Sequence, residues 1–242
     1  MRASIEDQRR LLEVQALDTR LARLAHERRT LQVLAEIITL ERAARDIEVE
    51  RVRALTRLSD LKRDLTRVED DVDQIRQRAA RYQARIDAAG ASAKDVRAMQ
   101  QEVEMLANRT SALEDQQLEQ MEAVEAVEEE IARLDTRAGE NAAVTRERTG
   151  VRDAEFRRID DIADDVRARR DALAATLPAD LVKLYDEVRI ETGGLGAVAL
   201  YGARTEGANI ELPLTELAEI RAAAPDVVVT SEEHGYILVR QD

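Results

Sequence analysis

The sequence predicts a mainly α-helical chain: a long antiparallel coiled-coil helical hairpin followed by a small α+β C-terminal domain. Neither Pro nor Gly occurs from Ser4 to Ala89, and Leu, Arg, Glu and Ala, all good helix formers, dominate that stretch. Apolar residues recur at alternating spacings of three and four along two long segments, the narrow seam of a coiled coil rather than the broad apolar face of a globular helix. Charged residues make up 36% of the 242 positions and aromatics only 2%, which suits solvated helices better than a thick core.

The first helix is expected to run unbroken from Ser4 to Ala89. Its clearest seam is Leu58, Leu61, Leu65, Val68, Val72, Ile75, Ala79, Tyr82 and Ile86. An earlier seam, Val14, Leu17, Leu21, Leu24, Leu31, Ala35 and Ile38, is interrupted by Arg28. At residues 88–93 the pattern breaks: Gly90 suits a left-handed helix stop, and Ser92 suits an N-cap with Asp95 in the following first turn. The second helix carries Met99, Val103, Leu106, Thr110, Leu113, Gln117, Gln120, Val124, Val127, Ile131 and Leu134, then resumes with Phe156, Ile159, Ala163, Val166 and Leu173. Two helices of similar length joined by a short turn must lie antiparallel.

Charge supports that pairing. In a hairpin closing near residue 90, facing positions sum to roughly 181. Arg51, Arg53, Arg57, Lys62, Arg63 and Arg67 then oppose Glu114, Asp115, Glu119, Glu122, Glu125, Glu128, Glu129 and Glu130. Parallel copies of either helix would set like charges together, so a monomer or a weak homo-oligomer is expected. Heptads fail again over residues 136–150, which contain Gly139 and Gly150. A kink is expected there, opposite roughly 31–45, in a rod of at most ~130 Å; it reads as a hinge or as a tolerated packing defect. The hairpin is assigned to residues 1–177.

Residues 178–242 form the second domain. Pro178 opens a short helix with Leu181, Leu184, Tyr185 and Val188 on one side, ending at "TGG". Beyond it, "AVALYG", "ANIELP", "DVVVT" and "GYILVR" read as strands, and "TELAEIRAAA" as a helical turn capped by Thr215 after Pro213. Thr205 and Ala208 in "TEGA", and Ser231 and His234 in "SEEHG", occupy the spacing of paired zinc knuckles; Cys at those positions would make a zinc ribbon. Only His234 among the four is a good zinc ligand.

The chain resembles a family of bacterial proteins with an N-terminal coiled-coil hairpin and a C-terminal four-Cys zinc ribbon, long catalogued as a domain of unknown function. The resemblance rests on "SAKDVRAMQQEVEML", on "LYDEVRIETGGLGAVALYGARTEGANIELPLTELAEIRAAAPD" and on "SEEHGYILVR", and it points to the actinobacterial branch. Carried over residue by residue, it places the zinc ligands at Thr205, Ala208, Ser231 and His234, all departures from Cys. Zinc is therefore expected to be lost and no cofactor retained. The ribbon fold is expected to persist through Gly207 and Gly235, through Val198, Leu200, Ile210, Leu212, Leu217, Ile220, Val228, Ile237 and Val239, and through docking on the short helix.

Function classes narrow accordingly. There is no Cys, no G-x-S-x-G and no phosphate loop; "TGGLG" lacks a following Lys and reads as a helix stop, and His26 reads as a solvated surface residue. An enzyme is not expected. Relatives implied by the resemblance are linked to RNA, to an alternative sigma factor and to secretion or flagellar assembly. Yet the chain carries 50 acidic against 37 basic residues, net -13, and residues 178–242 carry 12 acidic against 5 basic, which repels phosphate. The expected function is a non-enzymatic scaffold or chaperone-like adaptor for an unknown protein partner. A nucleic-acid-binding or transcription- or secretion-associated regulator is the alternative. Candidate contact surfaces are the tip, Ala88, Ala89, Gly90, Ala91 and Ala93, and the head around Tyr201 and Tyr236. A charged N-terminus and the absence of any roughly 18-residue apolar run predict a cytoplasmic chain with no membrane contact.

Overall fold

The computed structural model describes every residue except Ala89, Ala91, Asn209 and Asp242. Among the described residues five helices, α1 (Ile5–Arg29), α2 (Gln32–Asp87), α3 (Ala93–Ala174), α4 (Ala179–Glu191) and α5 (Leu214–Ala222), accompany four short strands, β1 (Ala197–Tyr201), β2 (Arg204–Glu206), β3 (Val229–Thr230) and β4 (Ile237–Arg240). The chain divides into two compact units, residues 1–35 with 149–242, and residues 36–148. Packing thus groups the first helix with the C-terminal residues, whereas the sequence reading divides the chain at 177.

The expected single helix from Ser4 to Ala89 is broken at Thr30 and Leu31. The cause is local. Thr30 donates its hydroxyl to the His26 carbonyl at 2.9 Å, and its N–H reaches both the His26 and Glu27 carbonyls, so side chain and backbone together close the last turn of α1. Past the break the buried positions become Val33 and Ile37 in place of Ala35 and Ile38, and Ile38 stands 48% exposed. Over 136–150, where the heptads fail, α3 stays helical through Gly139 and Gly150, and none of its residues between Leu134 and Ile159 is buried. Helical hydrogen bonding on both sides of each glycine outweighs a propensity cost of about 1 kcal/mol.

Within residues 36–148, α2 and α3 pair along the predicted seam from Leu58 to Ile86 and also through Ile47 and Ala54, which the predicted seams do not include. Ile47, Ala54 and Leu134 form one buried cluster, and Val68, Val72 and Leu113 another. Arg57 to Glu130, Lys62 to Glu128, Arg51 to Asp135 and Arg76 to Glu114 cross between the helices, a register shifted slightly from the expected one. Arg63 and Arg67 instead bond Asp60 and Asp64 of their own helix. At the turn, Gly90 has φ 133° and the Ser92 hydroxyl accepts the Asp95 N–H at 3.3 Å, as the sequence predicts.

In the other unit the sheet has strand order β2-β1-β4-β3, with a parallel central pair, β1 and β4, and antiparallel outer pairs. Of the expected strand "ANIELP", whose Asn209 lies outside the described residues, Glu211 bridges to Arg204, the Ile210 carbonyl accepts the Thr205 N–H and Leu212 donates to the Ala203 carbonyl, and β2 itself falls on "RTE". Both faces of the central pair are buried. Ala197, Ile237 and Val239 meet Leu11 and Val14 of α1 and Leu181, Tyr185 and Val188 of α4, while Val198, Leu200 and Leu238 meet Leu217 and Ile220 of α5. Two covered faces explain why these strands read as unbroken apolar runs. Pro213 rather than Thr215 precedes α5, and no side-chain cap closes that end.

Candidate functional site

The four knuckle positions fold into two turns. Thr205, buried, donates its hydroxyl to the Ile210 carbonyl at 3.1 Å and accepts the Ile210 N–H at 3.0 Å. Ala208 packs beside Val198, Leu212 and Leu217. Ser231, also buried, accepts the His234 N–H on its hydroxyl at 3.4 Å and the Gly235 N–H on its carbonyl at 2.9 Å. Both hydroxyls thus accept a backbone N–H within their turns. Thr205 lies on edge strand β2 and Ser231 follows the opposite edge strand β3. His234 stacks on Tyr236 with ring centroids 5.9 Å apart. One imidazole, two engaged hydroxyls and a methyl do not fit a zinc ion. Among the described residues no group of three or more His, Asp or Glu is placed to hold a metal.

A polar centre that the sequence reading does not identify sits where α1, α3, α4 and β1 meet. Tyr185, fully buried, donates to Asp18 Oδ2 at 2.8 Å and lies 3.1 Å from Gln15 Oε1. Gln15 Oε1 accepts the Gly196 N–H at 2.6 Å, and its Nε2 donates to the Gly194 carbonyl at 3.1 Å, fixing the chain as it enters β1. Arg170 of α3 reaches Asp18 at 3.3 Å and Asp186 of α4 at 2.6 Å. Arg189 Nε stands 3.6 Å from Asp18 Oδ2. Burial, and then the bond to Asp18, push the Tyr185 hydroxyl well above the usual tyrosine range. Gly196 belongs to this centre and not to the helix stop: a Cβ there would lie 2.5 Å from Tyr185 Cε2 and 2.9 Å from its carbonyl. Gly193 and Gly194, at φ 73° and 131°, do end α4 as expected.

The head is fastened at two further points. The guanidinium of Arg240 lies 2.9–3.1 Å from the carbonyls of Ile220, Ala223, Ala224, Pro225 and Val227, holding the exit of α5. Val228 donates to the Met1 carbonyl, and Ala3 to that of Asp226, so the N-terminal segment pairs with the approach to β3. Of the expected contact surfaces, Ala88, Gly90 and Ala93 are exposed, and Ala89 and Ala91 lie outside the described residues. Tyr201 is 51% exposed, whereas Tyr236 is half-buried against the α5 side of the sheet. His26 is exposed, as expected.

Long helices paired through a turn, together with a small mixed sheet, define a coiled-coil hairpin protein. The chain belongs to the CT398-like coiled coil hairpin domain family, whose profile matches residues 14–193. It is 32% identical over 250 aligned residues to the Mycobacterium tuberculosis protein Rv2229c, covering 99% of this chain and 98% of that one. A solved Mycobacterium smegmatis structure superposes with a TM-score of 0.88 at 34% identity, over 99% of this chain and 100% of that chain. CT398 of Chlamydia trachomatis superposes at 0.72 with 18% identity over 98% of each chain, a likeness of fold alone.

Proposed function

We propose that this chain is a non-enzymatic, zinc-free cytoplasmic adaptor that presents protein-contact surfaces on a stiff helical hairpin and on a small head. The observation that carries the reading is that each unit leaves large apolar side chains in water. On α3, Leu118 is 60% exposed beside Met121, among Asp115, Glu119, Glu122 and Glu125; on the head, Leu214 is 84% exposed, as is much of Tyr201. Leu118 and Met121, three apart on one helix, are neighbours on its surface, and a contiguous apolar patch on a polar surface marks a contact site for another protein. Membership of a coiled-coil hairpin family is consistent with this role, as is the lack, among the described residues, of any helix long and apolar enough to cross a membrane.

The test compares the intact chain with two double variants, Leu118→Ser with Met121→Ser and Tyr201→Ser with Leu214→Ser, in affinity capture from a bacterial lysate. Loss of one defined captured protein in one variant, with helicity unchanged, is the expected result. Equal capture by all three would remove the proposal. Fluorescence anisotropy with generic DNA and RNA at low salt is expected to show no binding; salt-sensitive micromolar affinity would replace the adaptor with a nucleic-acid binder.

A further inference from the structure

A cleft of ≈ 440 Å³ opens between α1 and α3 in the unit that carries the head. That is the size of a small-ligand site. It exists because Ala22, Ala25 and Ala163 stand where larger side chains would fill the space between the helices, and its floor is apolar, formed by Leu21, Leu24 and Ile159. Arg28 closes one end, held 3.9 Å over the Phe156 ring and bonded through Nε to Asp160 at 2.9 Å. The other end is different. Arg167 of α3 has, among the described residues, one ion-pair partner, the exposed Asp164 of its own helix. Arg189 of α4 has a buried Nε with no hydrogen-bond partner among the described residues, its nearest carboxylate oxygen being 3.6 Å away on Asp18.

We infer that this cleft binds a small monoanionic carboxylate with a short apolar tail, the tail on the Leu21, Leu24 and Ile159 floor and the carboxylate between Arg167 and Arg189. The charges select the anion. The lining holds three guanidiniums, Arg28, Arg167 and Arg189, against two carboxylates, Asp18 and Asp160; the exposed Asp164 that pairs with Arg167, and Asp186, 3.8 Å from Arg189 Nε, stand outside it, so a single incoming carboxylate takes the place of Asp164 on Arg167. A dianion such as phosphate would face both aspartates at close range in a partly desolvated space, which disfavours it. A guanidinium fork matches a carboxylate with two parallel hydrogen bonds. Arg189 shares Asp18 with Arg170, so an occupant bonded to Arg189 would join the polar centre that seats α4.

The experiment titrates the full chain with hexanoate, hexanol and hexylamine while following the methyl NMR signals of Leu21, Leu24 and Ile159. A fragment of this size binds in the ~mM range. Hexanoate is expected to shift these methyls saturably, with hexanol weaker by about tenfold or more, the loss of a charge-assisted bond, and hexylamine inert. Ala163→Leu, which fills the cleft without touching a charge, is expected to abolish the titration. Arg167→Gln, which leaves the Asp18 centre intact, is expected to weaken it about tenfold. Absence of saturable shifts, equal binding of hexanol, or a titration unchanged in Ala163→Leu would each overturn the site. A methyl spectrum otherwise unchanged verifies that each variant is folded.

Discussion

In residues 36–148, Arg57 and Glu130 meet at 2.7 Å with 56% and 37% of their side chains exposed; in the other unit, Arg170 and Asp18 meet at 3.3 Å with 15% and 7% exposed. The better geometry belongs to the pair that matters less. Water already solvates Arg57 and Glu130, so their pairing selects a register and adds a few tenths of a kcal/mol. Asp18 has little water to fall back on, and its neighbours Tyr185, Arg170 and Arg189 are what make its burial tolerable. The hairpin is therefore a structure of many replaceable contacts, and the head-bearing unit one of few irreplaceable ones.

Four substitutions press on that contrast. The largest effect is expected from Asp18→Asn, which leaves Arg170 and Arg189 without their shared buried counter-charge and should cost about 3 kcal/mol or more. Hydrogen exchange at the β1 and β4 amides would accelerate while α2 amides near Ala54 remain protected; equal acceleration in both units would dissolve the distinction. Next, Gly196→Ala drives a methyl into the Tyr185 ring and carbonyl, an overpacking cost of about 1–3 kcal/mol, visible in denaturant melts of the head-bearing unit.

Tyr185→Phe comes third, at about 1–2 kcal/mol, because Asp18 and Gln15 lose their shared donor. It also carries a pH signature. The folded hydroxyl titrates above the unfolded one, so the folded state holds the extra proton at alkaline pH. Stability from this group is complete below about pH 10 and is lost as pH rises beyond it. Phenylalanine should remove that alkaline slope from chemical denaturation curves; an unchanged slope would mean that Tyr185 is not its source. Smallest of all, Arg57→Ala should shift the hairpin by less than about 1 kcal/mol, and added salt should shrink even that.

Much of the hairpin was legible because its information is local and periodic. The seam positions from Leu58 to Ile86 are all buried or half-buried, and Ser92 and Asp95 close the turn as their residue types require. The break at Thr30 was not legible, since threonine is an ordinary helix residue until its hydroxyl turns back onto the His26 carbonyl. The polar centre was missed for another reason: Gln15 and Asp18, Arg170, and Tyr185 and Arg189 come from three distant parts of the chain, Tyr185 reads as part of the apolar side of its helix, and the others resemble the polar residues of any solvated helix. One signal was available. Leu11, Val14, Asp18, Leu21, Ala25 and Arg28 keep the alternating three and four spacing, which sets an aspartate, an alanine and an arginine in seam positions, and the last four line the cleft. The knuckle turns were readable as turns, but the parallel pairing of β1 with β4 was not, because it joins segments separated by a helix and two further strands.

The attachment of Met1 and Ala3 to residues 226–228, and of α1 to α4 and the central strands, has a bearing on biosynthesis. Residues 36–148 close on a neighbour joined by a single turn and can zip as soon as α3 leaves the ribosome. Residues 1–35 must wait for partners that lie beyond residue 148. During that interval Leu11 and Val14, buried in the folded unit, are uncovered, so α1 is a segment on which a holding chaperone would act until its C-terminal partners emerge.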